Sequence, residues 1–137
     1  MDKEKVLSSI NEGFIKRGAA DVKDGDVQKV MDRASDIRHK VIDSNLLKRF
    51  AKDVKLLIAM IKDYWNGIYR KMPWWVIAAV VFALLYVLNP IDLIPDIIPV
   101  LGLTDDAAVL ALCLAMTEKD IHKYQIWKNR NAQGAEV

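Results

Sequence analysis

The sequence predicts an all-α chain: amphipathic N-terminal helices followed by an apolar helical hairpin with a Pro/Asp-rich connection. Three observations carry this expectation. Apolar positions recur at three- and four-residue spacing through the first half, and no window alternates with period two long enough for a strand. Residues 72–117 hold no Lys, Arg or His. With 137 residues, 53% of them hydrophobic, and a mean hydropathy of +0.09, the chain suits one packed core and is too apolar for intrinsic disorder. One cysteine excludes a disulfide framework and the multi-cysteine metal motifs.

The first helix carries Val6, Leu7, Ile10 and Phe14 on one face, with Gly18 expected to stop it. The first 20 residues alternate charge with isolated apolar positions, which predicts no signal peptide. The stretch "KDGD" is turn chemistry and offers Asp24 or Asp26 as an N-cap. A second helix places Val27, Val30, Met31, Ala34, Ile37 and Val41 on one face. Ser44 is expected to cap a third, with Leu46, Leu47, Phe50, Val54, Leu57, Ile61, Trp65 and Ile68 in a period near 3.5. Its other face is basic: Lys48, Arg49, Lys52, Lys55 and Lys62, followed by Arg70 and Lys71, against Asp53 and Asp63. Such a stripe suits an anionic lipid surface, and is equally the solvated face of a bundle helix. Nucleic acid is disfavoured, because no reading module or base-stacking aromatics accompany the charge.

Residues 72–91, "MPWWVIAAVVFALLYVLNPI", carry no formal charge. Pro73 suits the start of a helix and Asn89-Pro90 its end. From 73 to 88 such a helix reaches about 24 Å, the lower limit for a transmembrane helix. Trp65, Tyr69, Trp74 and Trp75 sit at the start of the block, and Tyr124 and Trp127 follow the next apolar run, the placement expected of a membrane-interface belt. The alternative is core aromatics at helix ends. In "NPIDLIPDIIPVLGLTDD", three prolines and Gly102 interrupt any regular helix. Thr104 with Asp105 and Asp106 then makes a good helix start. The ten apolar residues that follow the aspartates, before Thr117 and Glu118, are too few to span a bilayer. The second arm therefore suggests a shallow re-entrant hairpin, or one buried in a bundle.

Charge divides in the same way. Residues 1–71 have 16 Lys/Arg against 11 Asp/Glu (net +5), residues 72–117 have four Asp only, and residues 118–137 have 4 against 3. This division suggests a basic helical region (1–71), an apolar hairpin module (72–128) and a polar tail (129–137). By the positive-inside rule both termini are expected in the cytoplasm. Asp92, Asp96, Asp105 and Asp106 are a candidate oxygen-ligand set for a divalent cation such as Mg²⁺ or Ca²⁺. Helix capping and ion pairing are the alternative, and no other cofactor is suggested. His39 and His122 stand alone on charged stretches, and Cys113 lies among Leu and Ala, where packing is expected. No Gly-rich phosphate loop is present, and nothing in the residues points to an enzyme.

The segment "LNPIDLIPDIIPVLGLTDDAAVL", residues 88–110, resembles the YkvA-like family, a bacterial domain of unknown function whose signature looks like "SPIDLIPDFIPVLGYLDDL". Asn89 stands where Ser is usual and Thr104 where a larger apolar residue is common; neither departure removes a carboxylate. The resemblance covers about residues 65–117 and leaves the first two helices unexplained. It implies a small membrane-associated helical hairpin module and brings no established reaction, so no catalytic residues carry over. The expected role is a membrane-associated adaptor or scaffold at the bacterial cytoplasmic membrane, with the bilayer and an unknown protein as partners. The alternative is a soluble or peripheral bundle that binds a protein or a second copy of itself, with the apolar hairpin as its core or oligomer interface. A third reading is an ion-linked membrane component that uses the aspartates.

Overall fold

A computed structural model describes residues 11–88 and 106–135, and among these residues all regular structure is helical. Helix α1 (Glu12–Ala20) starts where the Asn11 side chain accepts the Phe14 N–H at 3.1 Å. Gly18 does not stop it. The residue lies inside the helix because Phe82 packs against it: a Cβ there would sit 2.3 Å from the Phe82 ring. Phe14 completes the contact, edge-on to Phe82 at 5.5 Å and to Tyr86 at 6.0 Å. Val6, Leu7 and Ile10 lie outside the described residues.

The expected second helix is two, α2 (Asp24–Asp32) and α3 (Ala34–Asp43), broken at Arg33, whose backbone (φ −105°, ψ 18°) leaves the helical region. The apolar face survives the break, with Val27, Val30, Ala34, Ile37 and Val41 all buried. Asp24 is the first helical residue and not the cap. Asp26, in the first turn, accepts the Lys23 N–H at 2.9 Å. Ser44 does not cap the expected third helix: it is the C-cap residue of α3, and its hydroxyl accepts the N–H groups of Leu46 and Leu47, each at 3.3 Å, in the turn that follows. A 3-10 turn (Lys48–Phe50) then feeds α4 (Ala51–Trp65).

The apolar period of this helix extends less far than the sequence suggests, since Leu46 is 68% and Ile68 59% exposed. Leu46 lies in the turn before the helix begins, and Ile68 lies beyond the stop signal that ends it. Gly67 takes φ +76°, the Ile68 N–H reaches the Asp63 carbonyl at 2.8 Å and the Gly67 N–H reaches that of Tyr64 at 3.2 Å, a Schellman closure.

Helix α5 (Trp74–Leu88) is the centre of the bundle. Its residues 76–87 are all buried, and it packs against each of the other five helices. A helix that is apolar on every side belongs in a core or a bilayer. Here amphipathic helices cover it. Its 15 residues reach about 22 Å, short of the roughly 30 Å hydrocarbon layer. No helix among the described residues is long and apolar enough to cross a membrane, which corrects the transmembrane helix expected between 73 and 88.

Helix α6 (Asp106–Ala135) does not end with its apolar run at Thr117. Val109, Leu110, Cys113, Thr117 and Tyr124 continue one buried stripe, so the helix keeps packing while its outer face becomes charged. It runs antiparallel to α5: the Cys113 Sγ lies 3.5 Å from the Ala79 carbonyl, and Lys40 joins the other end, 3.4 Å from the Leu88 carbonyl and 3.9 Å from the Asp106 carboxylate. The Pro/Asp-rich connection lies outside the described residues. Side chains from both the basic N-terminal region and the apolar module share one core, from Phe14 to Tyr124.

Candidate functional site

Of the acidic set, Asp92, Asp96 and Asp105 lie outside the described residues. Asp106 opens α6 and pairs with Lys40, a cation supplied by α3 and not by the basic α4 stripe. Among the described residues no group of three or more His, Cys, Asp or Glu is arranged to hold a metal ion.

The aromatic set divides into two. Trp74 and Trp75 are 39% and 44% exposed at the start of α5. Tyr69 and Tyr124 are buried, and Trp65 and Trp127 half-buried. Tyr69 joins Tyr124 at 5.2 Å and Trp127 at 4.9 Å, so these rings pack the loop before α5 onto α6. A buried ring is withdrawn from solvent and headgroups alike; here Tyr69 and Tyr124 serve the core, and α5's own start keeps the exposed indoles.

The Tyr124 hydroxyl donates to Asp63 Oδ2 at 2.6 Å, and Lys128 approaches the same oxygen at 3.4 Å. Burial, then the bond to Asp63 and its charge, push the Tyr124 phenol well above its ordinary value. Burial and the nearby charge of Asp120 raise Tyr69 as well. Such phenols add stability that is complete below their ordinary value of 10.0 and is lost as the pH rises beyond it. Tyr124→Phe is therefore expected to cost about 1–3 kcal/mol at neutral pH. It should also flatten the fall of the melting temperature above about pH 10, as read by circular dichroism.

The basic residues Lys48, Arg49, Lys52, Lys55, Lys62, Arg70 and Lys71 are all exposed. They are not equivalent. Arg70 folds back to donate to the Tyr64 and Trp65 carbonyls at 3.1 and 3.4 Å, helping to close the end of α4. Arg49 lies over the Phe50 ring at 4.7 Å. Lys52 and Lys55 line a cavity of about 180 Å³ together with Arg38, Ile42 and Ala51. Sequence reasoning missed Arg38 and Ile42; the available signal was Ile42 falling off the Ile37–Val41 face, which leaves it 52% exposed.

A larger apolar groove of about 680 Å³ lies where α1, α5 and α6 meet, lined by Ile15, Ala19, Trp74, Trp75, Ala78 and Met116. His39 and His122 are exposed. The Cys113 thiol is buried, and burial pushes it up to about 12, a packing environment and not that of a reactive thiolate.

A family model described as a protein of unknown function (DUF1232) matches residues 76–112. Over 81 residues the chain is 33% identical to the uncharacterized membrane protein YkvA of Bacillus subtilis (strain 168), covering 59% of this chain and 76% of that protein. No solved structure matches.

Proposed function

The chain belongs to the YkvA-like family, and from that premise we propose that it is a membrane-associated helical adaptor or scaffold, held peripherally on the cytoplasmic membrane by its basic surface. The relative's description as a membrane protein supports association. The burial of α5 carries the peripheral reading: residues 76–87 of the most apolar helix are already covered within its own bundle, and only Trp74 and Trp75 at its start remain exposed. Attachment then falls to the surface, where each cation near an anionic leaflet contributes about 1 kcal/mol. The termini stay on the cytoplasmic side, and no catalytic step belongs to this role.

Fractionation tests this reading. The full chain is expected in the membrane fraction at low salt and in the supernatant after a high-salt wash, because screening weakens exposed charge contacts. Retention through both high salt and alkaline carbonate would overturn it. The groove beside Trp74 and Trp75 supports a second reading, a bundle whose main partner is a protein. A partner retained by the wild type and lost on Trp75→Ser, with no sedimentation on vesicles, would favour that reading.

A further inference from the structure

Where α3 meets α4, charge and exposed apolar surface come together. Arg38 comes from α3, and Lys52 and Lys55 are one turn apart on α4; all three line the same cavity of about 180 Å³. Its remaining walls are Val41, Ile42, Ala51 and Val54, so the three exposed cations border an apolar surface. The volume is below the roughly 300 Å³ at which pockets begin to hold drug-sized molecules, so the cavity suits a small anionic group. Among the described residues no ion pair engages these three cations; the pairs formed there use Arg33, Lys40 and Lys128. Asp53, a neighbour in sequence, faces a separate groove with Glu118 and His122.

Ile42 and the turn after α3 point to the source of the anion. Ile42 is 52% and Leu46 68% exposed, and Leu46 is the most exposed large hydrophobic among the described residues. The Ser44 hydroxyl, bonded to the Leu46 and Leu47 N–H groups, fixes the turn that presents Leu46. Lys48 and Arg49 follow directly and are exposed. Free phosphate or a nucleic-acid backbone has no use for an exposed Ile42 in the wall beside the cations, or for a Leu46 held out on the turn that follows α3. A phospholipid does, since its phosphate lies next to the acyl boundary.

We propose that Arg38, Lys52 and Lys55 form a site for the phosphate headgroup of an anionic phospholipid, with Ile42 and Leu46 entering the acyl boundary beside it. Arg38 supplies a planar fork that matches two phosphate oxygens, and the two lysines supply point charges around it. The proposal rests on the membrane-associated reading and narrows it to one end of the bundle.

The test is co-sedimentation of the full chain with phosphatidylcholine vesicles, with and without phosphatidylglycerol. The wild type is expected to sediment with the mixed vesicles and not with phosphatidylcholine alone. The triple variant Arg38→Gln/Lys52→Gln/Lys55→Gln should lose about tenfold or more in vesicle affinity. A control with the same charge change on α6, Lys119→Gln/Lys123→Gln/Arg130→Gln, should stay within about threefold, at the wild-type circular dichroism signal for both. Ile42→Ser/Leu46→Ser should keep low-salt binding and lose the part that survives added salt. If the two triple variants weaken equally, the site is overturned while membrane association stands. If the wild type binds neither vesicle, the membrane reading fails and the site with it. Displacement from vesicles by short RNA, at concentrations where inorganic phosphate has no effect, would make the ligand a nucleic acid and overturn the lipid assignment.

Discussion

Leu84→Asp is expected to abolish folding in detergent-free buffer. Leu84 is fully buried within α5. Truncating such a side chain alone costs about 2–5 kcal/mol, and an unpaired buried carboxylate adds several more. Together these approach the whole 5–15 kcal/mol that holds a domain of this size. The same charge at Trp75, on the same helix but 44% exposed, should change the melting temperature only slightly. Circular dichroism melts of the two variants read the contrast directly. A folded Leu84→Asp protein in water would mean that α5 is not the core.

The second large effect is expected at Gly18. The gain in helix propensity from Gly18→Ala is at most about 1 kcal/mol. Against it stands a Cβ placed 2.3–2.4 Å from three atoms of the Phe82 ring, in a core where overpacking costs about 1–3 kcal/mol. Phe82 is 4% exposed, so its ring has little room to turn away. Gly18→Ala should therefore destabilise by about 1–2 kcal/mol, and Gly18→Leu by more. In a Phe82→Ala background, itself weakened by about 3–5 kcal/mol, Gly18→Ala should become neutral or stabilising, because only the propensity remains. Urea midpoints of the four proteins give the coupling. Equal effects in both backgrounds would show that α1 does not pack on α5 at this point.

These two positions also mark where the sequence is legible and where it is not. The apolar faces of α2, α3 and α4 are plain from spacing alone, because an amphipathic helix writes its environment into its own period. Helix α5 has no such asymmetry. Residues 76–87 would read the same inside a bundle or a bilayer, and only the helices around them distinguish the two. Gly18 looks like a stop signal by propensity; its reason is a ring 64 positions away. The run through Thr117 is hidden for a related reason, since a buried threonine donating to the Cys113 carbonyl at 2.7 Å continues a helix that polarity alone would end.

The candidate site follows the same logic. The lysines of α4 are visible as a stripe, and the structure leaves them exposed. Their grouping with Arg38 is a tertiary fact, joining residues 14 and 17 positions apart across two helices. For the aromatics, flanking the apolar block in sequence does not fix location: Trp74 and Trp75 are at the surface, and Tyr69 and Tyr124 are in the interior. Of the aspartates, only the placement of Asp106 is described, and its pairing with Lys40 comes from a helix that sequence proximity does not suggest.

The measurement that bears most directly on a bundle whose apolar helix is its own core is photolabelling from within the bilayer. The full chain is bound to vesicles carrying a photoactivatable group on the lipid acyl chain, irradiated, and mapped by peptide mass spectrometry. Label is expected on the peptide holding Ile42 and Leu46 and absent from residues 76–87. Label concentrated on residues 76–87 would place α5 against lipid and contradict the peripheral bundle.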